Sequence, residues 1–223
     1  MVAGIDAQVS LPISGQQFGS SPRKQDRKED YMTSGVLQGV RVAILVSDGF
    51  EESELLDSRW TLEHLGAATF AIAPSKSRVA GSDQGKGERQ VPVDIPLEIA
   101  KPEDFHALFL PGGSSNASHL VSNSRAVEFV KSFMQARKPV AAIGEAPAIL
   151  LKAGALRGRK VTASAFLEED IKKAGADYLE QDVVCDANLI TARRLDDVSA
   201  FNREMTRVFA KLREHSQDMR KIG

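Results

Sequence analysis

The stretch that most constrains the fold is residues 138–151, KPVAAIGEAPAILL. Its apolar run Val140-Ala141-Ala142-Ile143 offers no polar side to solvent, the pattern of a strand covered on both faces in a parallel sheet. Gly144 and Glu145 follow, then Ala146-Pro147-Ala148-Ile149-Leu150-Leu151. Pro147 suits the first turn of a helix, where its missing N–H is not needed. The segment therefore reads strand, sharp turn, helix. Such a turn at the carboxyl end of a strand exposes one residue above a helix N-terminus, where partial positive charge favours anions. Many α/β hydrolytic enzymes hold a nucleophile there. Here the turn holds glycine and glutamate, neither of which carries a thiol or a hydroxyl.

The rest of the chain repeats the strand and helix periods. Buried strands are predicted at 40–46 and 107–110, further strands at 68–73 and 160–163, and a short edge strand at 91–94. A hairpin is predicted over 182–192 around Ala187-Asn188. Helices are predicted at 51–66, 124–137, 167–174 and 198–215, with a helical turn or loop at 102–105. The Gly- and charge-rich residues 78–89 suggest an excursion. A strand, helix, strand unit of this length implies parallel pairing with a right-handed crossover. The expected architecture is α/β, with one domain over 36–223. Residues 1–35 are rich in Ser, Gln and Gly, carry a charge run at 23–30 and keep no period. They read as a flexible extension, or as an arm anchored on a neighbouring subunit by Leu11, Ile13 and Phe18.

Composition narrows the function. A formal net charge of −1 gives no global attraction to nucleic acid or an anionic membrane, so neither is expected as a partner. One cysteine, Cys185, excludes an internal disulfide and a multi-thiolate zinc site. No metal or cofactor is expected. No apolar run reaches membrane-spanning length and no secretory leader is legible, so the cytoplasm is the expected location.

Ligands of open α/β sheets bind beyond the carboxyl ends of the strands. Three such ends carry candidates. Residues 48–54 place Glu51, Glu52 and Glu54 in the first helical turn, where acids also simply complement the helix dipole. Pro111-Gly112-Gly113 can bring backbone N–H groups close to an anion, although Pro-Gly-Gly is also an ordinary turn. Gly144-Glu145 is the third. If Glu54 faces the pocket it meets Glu145, and two nearby carboxylates push one pKa up. His64, His106, His119 and His215 all read as surface or satisfied histidines. Cys185, inside a strand pattern, reads as a small buried hydrophobe. Arg193-Arg194 with Asp196-Asp197 reads as an exposed ion-pair cluster, or as a subunit contact.

The runs VAILVSDGFEESEL, LPGG, KPVAAIGEAP, GALRGRKVTA and ITARRLDDVSAFNRE, in this order over about 40–212, resemble the ThiJ/PfpI superfamily. The resemblance is closest to its intracellular-protease-like stress proteins. It implies a flavodoxin-like three-layer sandwich with a mostly parallel sheet, of the class I glutamine amidotransferase type, forming a homodimer or higher oligomer. Family members have peptidase, glyoxalase, deglycase and chaperone roles. Their site is a Cys-His-Gly-Pro elbow, an acid in the first helix and the amides of the LPGG loop. By this likeness Glu54 is the acid, and Gly112 and Gly113 are the oxyanion loop. Gly144 stands at the nucleophile position and Glu145 at the histidine position. Ala146 precedes the retained Pro147. The expected ligand-binding set is Gly112, Gly113, Gly144 and Ala146, with Glu54 and Glu145 as catalytic candidates. The AAIGE elbow is also similar to the C-terminal domain of large-subunit catalases, which lacks the nucleophile too. Two readings follow: a non-catalytic ligand-binding or stress-related pseudoenzyme, or a hydrolase, glyoxalase or lyase-type enzyme working through Glu54 and Glu145. Ser114, Ser115 and Ser164 are weaker candidates for a replacement nucleophile, because no histidine is placed to activate them.

Overall fold

The computed structural model describes residues 35–74, 77–82 and 89–221, with side chains to 212. The expectations for the extension, for its anchors Leu11, Ile13 and Phe18, and for His215 lie outside them. The described residues form twelve strands and six α-helices. The first half comprises β1 (Arg41–Leu45), β2 (Phe50–Glu51), α1 (Glu52–His64), β3 (Ala68–Ala73), β4 (Arg78–Ser82), β5 (Gln90–Pro92), β6 (Ile95–Pro96) and β7 (Ala107–Leu110). The second comprises α2 (Ser114–Ser122), α3 (Ser124–Gln135), β8 (Val140–Ile143), α4 (Pro147–Lys152), β9 (Lys160–Val161), α5 (Glu168–Lys173), β10 (Asp177–Tyr178), β11 (Val183–Asp186), β12 (Leu189–Ala192) and α6 (Val198–Lys221).

Seven strands form the main sheet in the order β11-β12-β8-β7-β1-β3-β6. All pairings in it are parallel except the β11–β12 hairpin. The register is fixed by complete burial: every residue of β7, β8 and β12 is buried, so each strand must be covered on both faces. Two apolar clusters do this. One gathers Leu55 and Leu62 of α1 and Phe201, Met205 and Phe209 of α6 against Ile44, Phe109 and Ile143. The other gathers Phe129, Val130 and Phe133 of α3 and Ile149 and Leu150 of α4 against Leu45, Leu108 and Ala142. The expected three-layer, flavodoxin-like sandwich is what forms.

One helix was not foreseen, and two local expectations are corrected. Residues 114–122 form a helix that the sequence does not announce; SSNASHLVS is serine-rich, and serine competes with helical backbone hydrogen bonds. The strand expected at 160–163 shortens to β9 and pairs with β10 outside the main sheet. Cys185 is exposed, because β11 is an edge strand whose alternation buries Val184 and turns Cys185 outward. Arg207 Nη2 lies 3.5 Å from its sulfur, and partial desolvation raises the thiol pKa.

Candidate functional site

The strand order reverses between β1 and β7, so the loops after them diverge and leave a crevice. A cavity of about 410 Å³ opens there, lined by Gly49, Glu51, Glu54, Gly113, Ser114, Gly144, Glu145, Ser164, Arg193 and Arg194 among others. The loop after β12 thus contributes the two arginines to the same mouth.

Gly144 is the apex of the turn between β8 and α4, with φ +65°, the left-handed conformation of a strained elbow. Its N–H donates to Ala192 O at 3.1 Å and its carbonyl accepts from Ser164 N at 2.9 Å. A Cβ at this position would lie 3.3 Å from Glu54 Oε1 and 3.5 Å from Oε2. The acid of the first helix therefore addresses the apex directly.

Glu54 is 4% exposed and sits in the first turn of α1. Its Oε2 accepts from Gly112 N at 2.8 Å. Burial pushes its carboxyl up to about 8; the Gly112 bond opposes the rise, and the nearby Glu145 and Glu51 carboxylates add to it. Glu54 is therefore mostly protonated at neutral pH.

The second glycine of the loop has a different partner. Gly113 N donates to Glu145 Oε2 at 3.1 Å. Gly113, at φ +102°, is the residue from which α2 starts, so the Glu145 carboxylate lies against a helix N-terminus. No other residue fits at 113, since a Cβ there would stand 2.2 Å from Gly49 O.

Of the expected site residues, the fold brings Glu54, Glu145, Gly113 and Gly144 together at the cavity. Gly112 backs it, with its N–H given to Glu54. Ala146 does not line it: it is 4% exposed, belongs to the core beneath α4, and its N–H donates to Ile143 O. Ser114, Ser115 and Ser164 also line the cavity. His106 accepts from Arg41 N at 2.9 Å, and His64 stacks on Trp60. His119 is exposed on α2. Arg193 bonds Asp197 at 3.2 Å and also Asp182, while Arg194 meets Asp196 at 3.4 Å. Among the described residues no group of three or more His, Cys, Asp or Glu side chains is placed to share a metal ion, and no helix is long and apolar enough to cross a membrane.

One positioning residue was missed. Asn116, fully buried on α2, accepts from Ser47 N at 2.7 Å and donates to Pro111 O at 2.8 Å and Gly112 O at 3.1 Å. It ties the loop after β1 to the loop after β7. Its only sequence signal was its place three residues beyond the Gly-Gly pair.

A buried acid beneath a left-handed elbow, beside a Gly-Gly loop at the crevice of a parallel sheet, defines a class of α/β sandwich. Residues 40–208 match the model of the DJ-1/PfpI family, and the chain belongs to that family. It is 37% identical over 169 residues to Protein/nucleic acid deglycase 2 of Escherichia coli (strain K12), covering 75% of this chain and 96% of the relative. It is 36% identical over 174 residues to General stress protein 18 of Bacillus subtilis (strain 168), covering 78% and 99%. Among solved structures it is similar to a two-domain protein from Anabaena variabilis with DJ-1/ThiJ/PfpI-like and ferritin-like domains. That match has a TM-score of 0.69 at 30% identity and covers 74% of this chain and 48% of the other.

Proposed function

We propose that this protein is a DJ-1/PfpI-family member without covalent catalysis, using the cavity at the carboxyl edge of the sheet to bind a small molecule in a stress-related role. The observation that carries this reading is the apex itself. Gly144 supplies no attacking atom where the buried acid points, and in thiol chemistry the thiolate is the nucleophile. The chain's one cysteine is on the edge strand β11 and does not line the cavity. The site serines lack an activating base in this reading, because none of His64, His106 and His119, the histidines among the described residues, lines the cavity. The relatives' names, a deglycase and a general stress protein, supply the class of role. In this reading the chain acts in the cytoplasm as a homodimer or larger assembly, and residues 1–35 are an extension to one domain.

The test is turnover. Purified protein is expected to show no peptidase, glyoxalase or deglycase activity, and the double substitution Gly144→Cys with Glu145→His is expected to gain it. Space permits the Cys side chain, since a Cβ at 144 meets only ordinary or slightly tight contacts with Glu54 and Gly112, and the cost is the strain of a non-glycine residue at φ +65°. Robust wild-type turnover abolished by Glu54→Gln would refute the reading.

That outcome would favour a second reading, which the raised Glu54 pKa supports. A proton-bearing acid beside an ionisable partner is the arrangement for acid/base chemistry without a covalent intermediate, such as hydration, lyase or isomerase reactions. It requires a pH-dependent activity lost in Glu145→Gln.

A further inference from the structure

The seam between α1 and α6 is polar where its surroundings are not. Leu62 of α1 and Phe201, Met205 and Phe209 of α6 are fully buried in one apolar cluster. On the same two helices Ser58, Thr61, Asn202 and Thr206 are 0%, 8%, 7% and 0% exposed. The helices meet at one hydrogen bond between these side chains, from Asn202 Nδ2 to Thr61 Oγ1 at 3.4 Å. Its direction follows from the next bond along. The Thr61 hydroxyl gives its proton to Asp57 O at 2.8 Å, so its oxygen is left to accept from Asn202. The amide therefore turns its nitrogen to Thr61 and its Oδ1 away.

Asn202 Oδ1 then has no donor among the described residues, and neither Ser58 Oγ nor Thr206 Oγ1 has a partner there. Ser58 stands three residues before Thr61 and Thr206 four after Asn202, so each neighbours the contact on its own helix. A serine or threonine inside a helix can close its hydroxyl on the carbonyl four residues back. Thr61, Ser118, Ser122 and Ser132 do so here. Ser58 and Thr206 do not, although both are completely buried. Buried polar atoms of this kind are costly unless paired, and ordered water is the usual partner where protein groups supply none.

We propose that the α1–α6 seam is a buried water site, in which ordered water donates to Asn202 Oδ1 and joins it to the hydroxyls of Thr206 and Ser58. Water suits these partners because each hydroxyl can donate or accept, and so can water. None of the four side chains carries a charge that would hold an ion in its place. The bridge ties together two helices that stand behind the cavity, since α1 carries Glu54 and α6 follows Arg193 and Arg194. It is independent of what the cavity binds and of whether the protein turns over a substrate.

The test is oxygen-17 magnetic relaxation dispersion on the full chain, which counts long-lived internal water in solution, paired with a crystal structure that resolves ordered water. Wild type is compared with Asn202→Leu, which removes the acceptor, and with Thr206→Val, which keeps the side-chain shape and removes the hydroxyl. The internal water count should fall by about one or more in Asn202→Leu and in Thr206→Val. Wild-type crystals should show water within about 3.2 Å of Asn202 Oδ1 and of Thr206 Oγ1. An unchanged count in both variants would overturn the proposal. So would crystals in which Ser58 and Thr206 close on the Glu54 and Asn202 carbonyls and no water lies at Asn202 Oδ1. Thr206→Val carries the test if Asn202→Leu folds poorly.

Discussion

The two edges of the main sheet solve opposite problems. At the amino edge the two cations Arg41 and Lys138 are closed by partners. The Arg41 guanidinium lies 4.4 Å from the ring centre of Phe70 and donates through Nε to Asp104 O at 2.8 Å. Lys138 Nζ donates to Pro102 O at 2.7 Å and Phe105 O at 2.6 Å. The carboxyl edge instead holds left-handed backbone at 113 and 144 and a carboxyl group buried at the cost of its ionisation. One edge is built for stability; the other keeps a cavity at some expense of it. The difference teaches where function sits before any ligand is known, because strain and perturbed pKa values persist only where the surrounding fold enforces them.

Substitutions can break that contrast, and Glu54→Gln should do so most. The Glu54 pKa is raised from 4.5 to about 8 on folding, so the unfolded chain releases its proton first. Stability from this group is therefore fully present below pH 4.5 and lost as pH rises through 8. The full window corresponds to about 5 kcal/mol. Urea unfolding of wild type and Glu54→Gln across pH 4–9 should show the variant gaining in relative stability through that window. A constant difference would mean that Glu54 ionises normally.

Gly113→Ala comes next. Its Cβ would stand 2.2 Å from Gly49 O at φ +102°, and a loss of about 3 kcal/mol or more is expected in chemical denaturation. Asn116→Ala should cost about 2 kcal/mol, because it leaves Ser47 N–H and the Pro111 and Gly112 carbonyls without this partner. Hydrogen exchange should then speed up at Ser47 before it does in the strands.

The smallest effect belongs to the amino edge. Partial burial and the Lys138 and Arg41 charges hold the His106 pKa below its usual value, and its Nδ1 accepts from Arg41 N. The unfolded chain therefore takes up a proton first as pH falls below about 6.5, and stability declines there. His106→Gln should flatten that slight decline in a pH series of thermal melts. An amino-edge substitution that outweighed Glu54→Gln would invert the comparison.

Much of this was legible without coordinates. The runs at 68–73, 107–110 and 140–143 coincide with β3, β7 and β8 because a short run that is wholly or almost wholly apolar has few ways to be buried. The helix at 114–122 was not legible, since only Asn116, Ala117 and Leu120 of its residues are buried and the rest carry no apolar stripe. Cys185 was misjudged because a strand pattern says which residues alternate, and not which side faces the core.

The sequence by itself determined that position 144 has no side chain to attack with, that a glutamate follows it, and that both stand between a buried strand and a helix. Those are properties of adjacent residues, set by local period and covalent structure. Only the tertiary structure decided that Glu145 rests on the Gly113 amide and that Glu54 is protonated beneath the apex. These contacts join residues 32 and 58 positions apart, and their strength depends on burial that no local window contains. Pairing of β7 with β8, and of β1 with β7, brings those distant loops to one edge.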